Sequence, residues 1–365
     1  MKNLKRIFFM STVCLLSVSV FTGCSDDDDP TLNPIPPIVE PSITVAYVLN
    51  SGNMNSNNAG LSLLNITESS IISDDIFSGI NSRGLGDTGQ DIVVYGSKIY
   101  IAVYGSGVIE VTDIAGESIK QITSDEGMKP RGMVAHGGKV YVTLYDGYLA
   151  RLDTTSLVIE DKVKVGRNPE QVVVANNKLY VANSGGLDYN TPIGYDNTVS
   201  VVDINSFEEI KKIEVVLNPC NMVTDNQGDV YVVSMGNYGD IPNTLQKIDS
   251  NTDEVLTVEV ANATEMASTG DIIYMIYSQY DANWNQVITF YAYDAINETV
   301  ITDSFTDTSV VSNPYKISAD EETGRVYITA SDYRTNGDVY EFDDNGNLLS
   351  TYAVGMNPVK VVMVR

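Results

Sequence analysis

From residue 42 onward the chain is a succession of short apolar runs broken by turns rich in glycine, asparagine and aspartate. No stretch there sustains the 3.6-residue apolar period of an amphipathic helix, and the pattern predicts strands throughout. Seven of the runs are built around one tyrosine: Val45-Ala46-Tyr47-Val48, Lys98-Ile99-Tyr100-Ile101, Lys139-Val140-Tyr141-Val142, Lys178-Leu179-Tyr180-Val181, Asp229-Val230-Tyr231-Val232, Ile272-Ile273-Tyr274-Met275 and Arg325-Val326-Tyr327-Ile328. Successive tyrosines lie 53, 41, 39, 51, 43 and 53 residues apart. A second marker recurs just ahead of most copies, at Lys129-Pro130, Asn168-Pro169, Asn218-Pro219, Asn313-Pro314 and Asn357-Pro358, with Asn262-Ala263 as a degenerate copy. A period of roughly 40–50 residues holding four short strands is the signature of propeller blades.

One blade reads out in full. Gln171–Ala175 is its innermost strand, Asn176-Asn177 a tight turn, Lys178–Ala182 the second strand, Thr198–Asp203 the third and Glu209–Val215 the outer strand. The Asn-Asn, Gly137-Gly138, Gln227-Gly228 and Asn345-Gly346 turns supply the positive φ that tight hairpins need. Innermost strands are expected to be nearly continuous in apolar residues, because neighbouring blades cover both their faces. The last segment, from Pro358 to Arg365, reads as an innermost strand with no blade of its own, while the first blade starts near Ser42 without one. The expectation is an all-β chain: a seven-bladed β-propeller over residues 42–365, closed by the C-terminal strand, which removes sheet edges.

The N-terminus reads differently. Lys2, Lys5 and Arg6 precede an apolar run, and Phe21-Thr22-Gly23-Cys24 places small residues before a cysteine, the pattern of a lipoprotein signal peptide over residues 1–23. The run is shorter than the ~20 residues of a membrane-spanning helix. Cys24 would carry the lipid, palmitate included. Residues 24–41 would form a tether: Ser25-Asp26-Asp27-Asp28-Asp29, either a solvated spacer or an export signal, followed by five prolines that keep the chain extended.

Charge and rare residues narrow the chemistry. The chain has 22 basic and 48 acidic residues, a formal net charge of −26, which argues against a nucleic-acid partner. His136 is the only histidine and sits in a turn between two strands, so a serine–histidine triad or a multi-histidine metal site is disfavoured. With Cys14 in the signal and Cys24 lipidated, Cys220 has no disulfide partner and reads as a small buried residue.

The loops that enter the innermost strands and those joining second to third strands share one face of a propeller. The second set is long in the first, fourth, fifth and sixth blades and dense in tyrosine, asparagine and glycine. Candidate ligand-binding residues on these loops are Ser56 among its asparagine neighbours, Tyr104, Tyr145, Asn183, Tyr189, Tyr195, Tyr238, Tyr280, the single tryptophan Trp284, and Tyr333. Aromatic side chains offer flat apolar area at low entropic cost, and asparagines offer amide hydrogen bonds. At the channel mouth the candidates are Asp91, Arg131, Glu170, Asn221 and Tyr315. Carboxylates there, Glu265 included, could hold calcium as in lactonase-type propellers. Arg131 and Lys316 or Lys360 are placed to neutralise them instead, and no metal is expected.

The Tyr-Val strands with preceding Asn-Pro turns, as in Asn168-Pro169 with Leu179-Tyr180-Val181-Ala182-Asn183, resemble the YVTN-repeat propellers. With Thr22-Gly23-Cys24 and the serine-plus-acidic stretch added, the whole resembles the surface propeller lipoproteins of gut Bacteroidetes that capture cobalamin (vitamin B12). That resemblance implies a lipid-anchored, outer-membrane, surface-exposed binding protein rather than an enzyme. Its ligand would be a corrinoid, and its partner a TonB-dependent outer-membrane transporter. Capture of another nutrient, or a protein-docking role, stays open alongside it.

Overall fold

The computed structural model describes residues 43–123, 128–281, 283 and 285–365. The expected signal peptide, Cys24 with its tether, and Trp284 lie outside them. The described chain forms seven four-stranded antiparallel sheets arranged as the blades of a propeller. The innermost strands are Pro358–Val364, Gly89–Tyr95, Pro130–His136, Pro169–Ala175, Pro219–Thr224, Glu265–Ser268 and Pro314–Ala319, in blade order. The first sheet joins the two ends of the chain: Pro358–Val364 pairs antiparallel with Val45–Asn50, from Val45 opposite Val364 to Asn50 opposite Pro358. The ring is therefore closed by the C-terminal strand.

The tyrosine of each second strand explains the repeat. All seven, from Tyr47 to Tyr327, are buried. Two of their hydroxyls reach into the next blade: Tyr47 donates to the Ile114 carbonyl at 2.9 Å, and Tyr180 to the Ser250 carbonyl at 3.4 Å. Apolar clusters fill the spaces between consecutive blades, for example Tyr100, Ala102 and Ile109 against Val140, Val142 and Leu152 between the second and third. Tyr231, Met266 and Tyr293 join the fifth and sixth in the same way. The predicted turns hold, with Asn176 and Asn177 both at positive φ, as are Gly137 and Gly138.

Three expectations need correction. It is the second strands that are continuously buried, as in Lys178–Asn183, whereas the innermost strand Pro169–Ala175 is only partly so. The reason is the channel: it has a volume of about 960 Å³ and exposes one edge of every innermost strand. Second, a short α-helix, Ile76–Asn81, links the first and second blades. Asp75 caps it by accepting from the Ser78 amide, and it buries Ile76 and Phe77. Six residues are too few to register as a helical period. Third, the long loop expected between the second and third strands of the sixth blade is shortened: Ile272–Tyr280 and Gln286–Asp294 make one long hairpin, paired out to Tyr280 opposite Gln286.

Candidate binding site at the channel mouth

Each Asn-Pro turn delivers its strand to the same end of the channel. Asn168, Asn218, Asn313 and Asn357 all adopt positive φ, which asparagine tolerates better than most residues, and Thr88 takes that place ahead of Gly89 in the second blade. The amides then tie neighbouring loops together. Asn357 donates to the Gly52 carbonyl at 2.9 Å and accepts from Ser331 Oγ at 2.6 Å, joining the first and seventh blades. Asn168 donates to the Tyr145 carbonyl of the third blade at 3.0 Å. In six of the seven blades the register then shifts by a bulge one or two residues past this turn. A bulge re-aims side chains, and here it puts charged residues at the mouth.

Three ion pairs form at the mouth, each between adjacent blades. Arg131 Nε donates to Glu170 Oε2 at 2.8 Å, Lys360 Nζ to Asp91 at 2.6 Å, and Lys316 contacts Glu265. The anticipated neutralisation is thus observed, with the cations and carboxylates paired one to one. Burial pulls on the Lys316 pair from both sides: it raises the Glu265 carboxyl and opposes the ammonium, yet contact with Glu265 holds Lys316 above its ordinary value. The charged pair is the state the geometry favours, because an unpaired ammonium would be left facing the channel. Burial likewise opposes the Arg131 charge, and Glu170 more than restores it. Asp91 is buried and also accepts from the amides of Ile92 and Met133, so it braces three blades. Asn221 donates to Glu265 at 3.4 Å, while its own oxygen is buried with no protein partner. Among the described residues no group of three or more histidine, cysteine, aspartate or glutamate side chains is placed to hold a metal ion.

Tyrosines stand around these charges in pairs. Tyr104 and Tyr145 meet edge-on at 5.7 Å, with the Arg131 guanidinium 5.5 and 4.7 Å from their ring centres. Tyr145 also donates to Glu170 at 3.0 Å. Tyr315 and Tyr333 meet at 5.3 Å beside Lys316, and Tyr195 and Tyr238 at 6.4 Å. Tyr238 and Tyr333 are largely exposed, both on αL backbone, and Tyr189 and Tyr280 are exposed as well. Ser56 lies on an exposed turn of the first blade.

Asn183 stands apart from the other candidates. It is fully buried, donates to Thr198 and Ser200 and accepts from the Gly166 amide, so it holds its loop and faces no ligand. Cys220 lines the channel beside Asn221 and is only half-buried rather than fully buried as expected, and desolvation pushes its thiol up, which disfavours the thiolate. The sequence reading missed a side cleft of about 490 Å³ between the third and fourth blades, lined by Lys129, Lys164, Arg167 and Tyr145. Its lysines sit far apart in the chain, and only the fold brings them together.

No protein-family model matches the chain, and no curated protein matches it. Solved structures do. Kuenenia stuttgartiensis hydrazine synthase is 14% identical with a TM-score of 0.58, covering 74% of this chain and 92% of its own. The computationally designed Ika8 protein is 12% identical with a TM-score of 0.55, covering 86% of this chain and 89% of its own. At these identities the likeness is one of fold alone.

Proposed function

We propose that this chain is a lipid-anchored surface protein that captures cobalamin or a related corrinoid at the channel mouth and passes it to a TonB-dependent outer-membrane transporter. The observation that carries the reading is a rim of paired, partly exposed tyrosines around a mouth whose three carboxylates are each matched by a cation. Such a mouth has no net charge to repel a neutral ligand, and its flat rings suit a broad apolar macrocycle edged by amides. Paired carboxylates also favour binding over metal-assisted hydrolysis, since each would have to give up its cation before ligating a metal. The sequence features that support surface anchoring are Cys24 and the acidic stretch that follows it.

Calorimetric titration of the full chain with cyanocobalamin tests this. Saturable binding is expected, and Tyr238→Ala and Tyr333→Ala should each weaken it by about 1–3 kcal/mol with little change in melting temperature. Absence of binding removes the corrinoid reading. Binding that neither substitution touches moves the site away from this rim.

A further inference from the structure

The cleft beside the mouth is unusual for this protein. Against a net charge of −26, its wall gathers Lys129, Lys164 and Arg167 with only Asp146 and Asp188. Arg167 is already engaged, 2.5 Å from Asp188 and 3.5 Å from Asp196, and donates to the Gly194 carbonyl at 2.9 Å, so the free positive charge of the cleft is that of the two lysines. Both lysines are exposed, and among the described residues neither has a carboxylate within ion-pairing distance. Each is held in place by uncharged groups instead. Lys164 lies 4.5 Å from the centre of the Tyr148 ring and donates to the Asp146 carbonyl at 3.2 Å, and Lys129 lies 5.9 Å from that of Tyr104. Gly147, at positive φ, leaves room for that ammonium: a Cβ there would come within 2.6 Å of Lys164 Nζ. Tyr145 links cleft and mouth, since it lines the cleft and its hydroxyl donates to Glu170 at the mouth.

We propose that this cleft is an oxyanion subsite for a phosphate-class group. Ammonium groups on flexible stems suit phosphate oxygens as point charges, and the acidic surface elsewhere would turn such a group away. In a corrinoid the group would be the phosphodiester of the nucleotide tail, reaching past Tyr145 while the ring rests on the tyrosine rim. This second statement rests on the corrinoid reading; the first does not.

Two arms test them separately. Inorganic phosphate is titrated into the isotope-labelled full chain at low ionic strength while amide shifts are followed. Saturable shifts are expected at Asp146, Gly147 and Leu187, with affinity about tenfold weaker in Lys129→Gln/Lys164→Gln at an unchanged melting temperature. No saturation, or equal affinity in that variant, overturns the subsite. The other arm compares cyanocobalamin with dicyanocobinamide, which lacks the phosphodiester. The wild type should prefer cyanocobalamin, and the preference should collapse in the double variant. A preference that survives there overturns the placement of the tail. If phosphate binds and neither corrinoid does, the subsite stands and the corrinoid reading falls. If cyanocobalamin binds and phosphate does not, the reverse holds.

Discussion

Asn357 shows what the Asn-Pro marker is for. Its φ of 55° is costly for a residue with a Cβ and no local hydrogen-bonding group, and its buried amide joins the first and seventh blades. Asn357→Ala loses both, and should cost about 2–3 kcal/mol in urea unfolding. Asn357→Gly keeps the backbone and should cost less. Equal losses would mean the φ contributes nothing. Asparagine in the inserted loops suggested ligand recognition from sequence, but Asn183 uses its amide within the protein, as do Asn168 and Asn357 of the turns. The residue type was legible and its partner was not, because a turn amide can bond equally well to a loop or to a ligand until the fold supplies the loop.

At the scale of the strand, closure depends on the C-terminal segment. Beyond its pairing with Val45–Asn50, it ends on Arg365, which donates to the buried Asp320 of the seventh blade at 2.5 Å. Burial alone would raise the Asp320 carboxyl, but Arg365 and Thr323 hold it below its ordinary 3.8. A depressed carboxylate stabilises the fold above its unfolded value, and that contribution is lost as pH falls through the folded one. The melting temperature of the wild type should therefore exceed that of Asp320→Asn by a few degrees at pH 6. The gap should narrow as pH drops below about 4. A gap that stays constant down to pH 3 would show that the pair does not stabilise closure. The strand was readable from its apolar pattern. The pairing of its last residue with Asp320 was not, since sequence says nothing of side chains brought together across the ring.

For the whole molecule, the two faces of the ring differ in the chemistry they could offer a corrinoid cobalt. His136, the only histidine, is exposed at the end of Pro130–His136, away from the mouth at which that strand begins. At the mouth, burial raises the Cys220 thiol and the Tyr145 and Tyr315 hydroxyls, so none of them is ionised at neutral pH. A corrinoid bound there keeps its own axial ligands. The visible spectrum of bound cyanocobalamin should match that of the free compound, and His136→Ala should bind it as well as the wild type does. A spectrum showing protein ligation, or loss of binding in that variant, would put the ligand on the other face.

The sequence by itself determined the blade number and the closure by the last strand. Each of these is written in a repeat, and a repeat carries its own phase: tyrosines that must all be buried, and turns that must all deliver strands to one end. The tertiary structure alone decided which tyrosines pair, that Tyr277–Gln286 extends as a hairpin, and that Lys129, Lys164 and Arg167 share one cleft. Those features lie in the insertions, which follow no repeat, and their contacts join side chains from different blades that only the closed ring brings within reach.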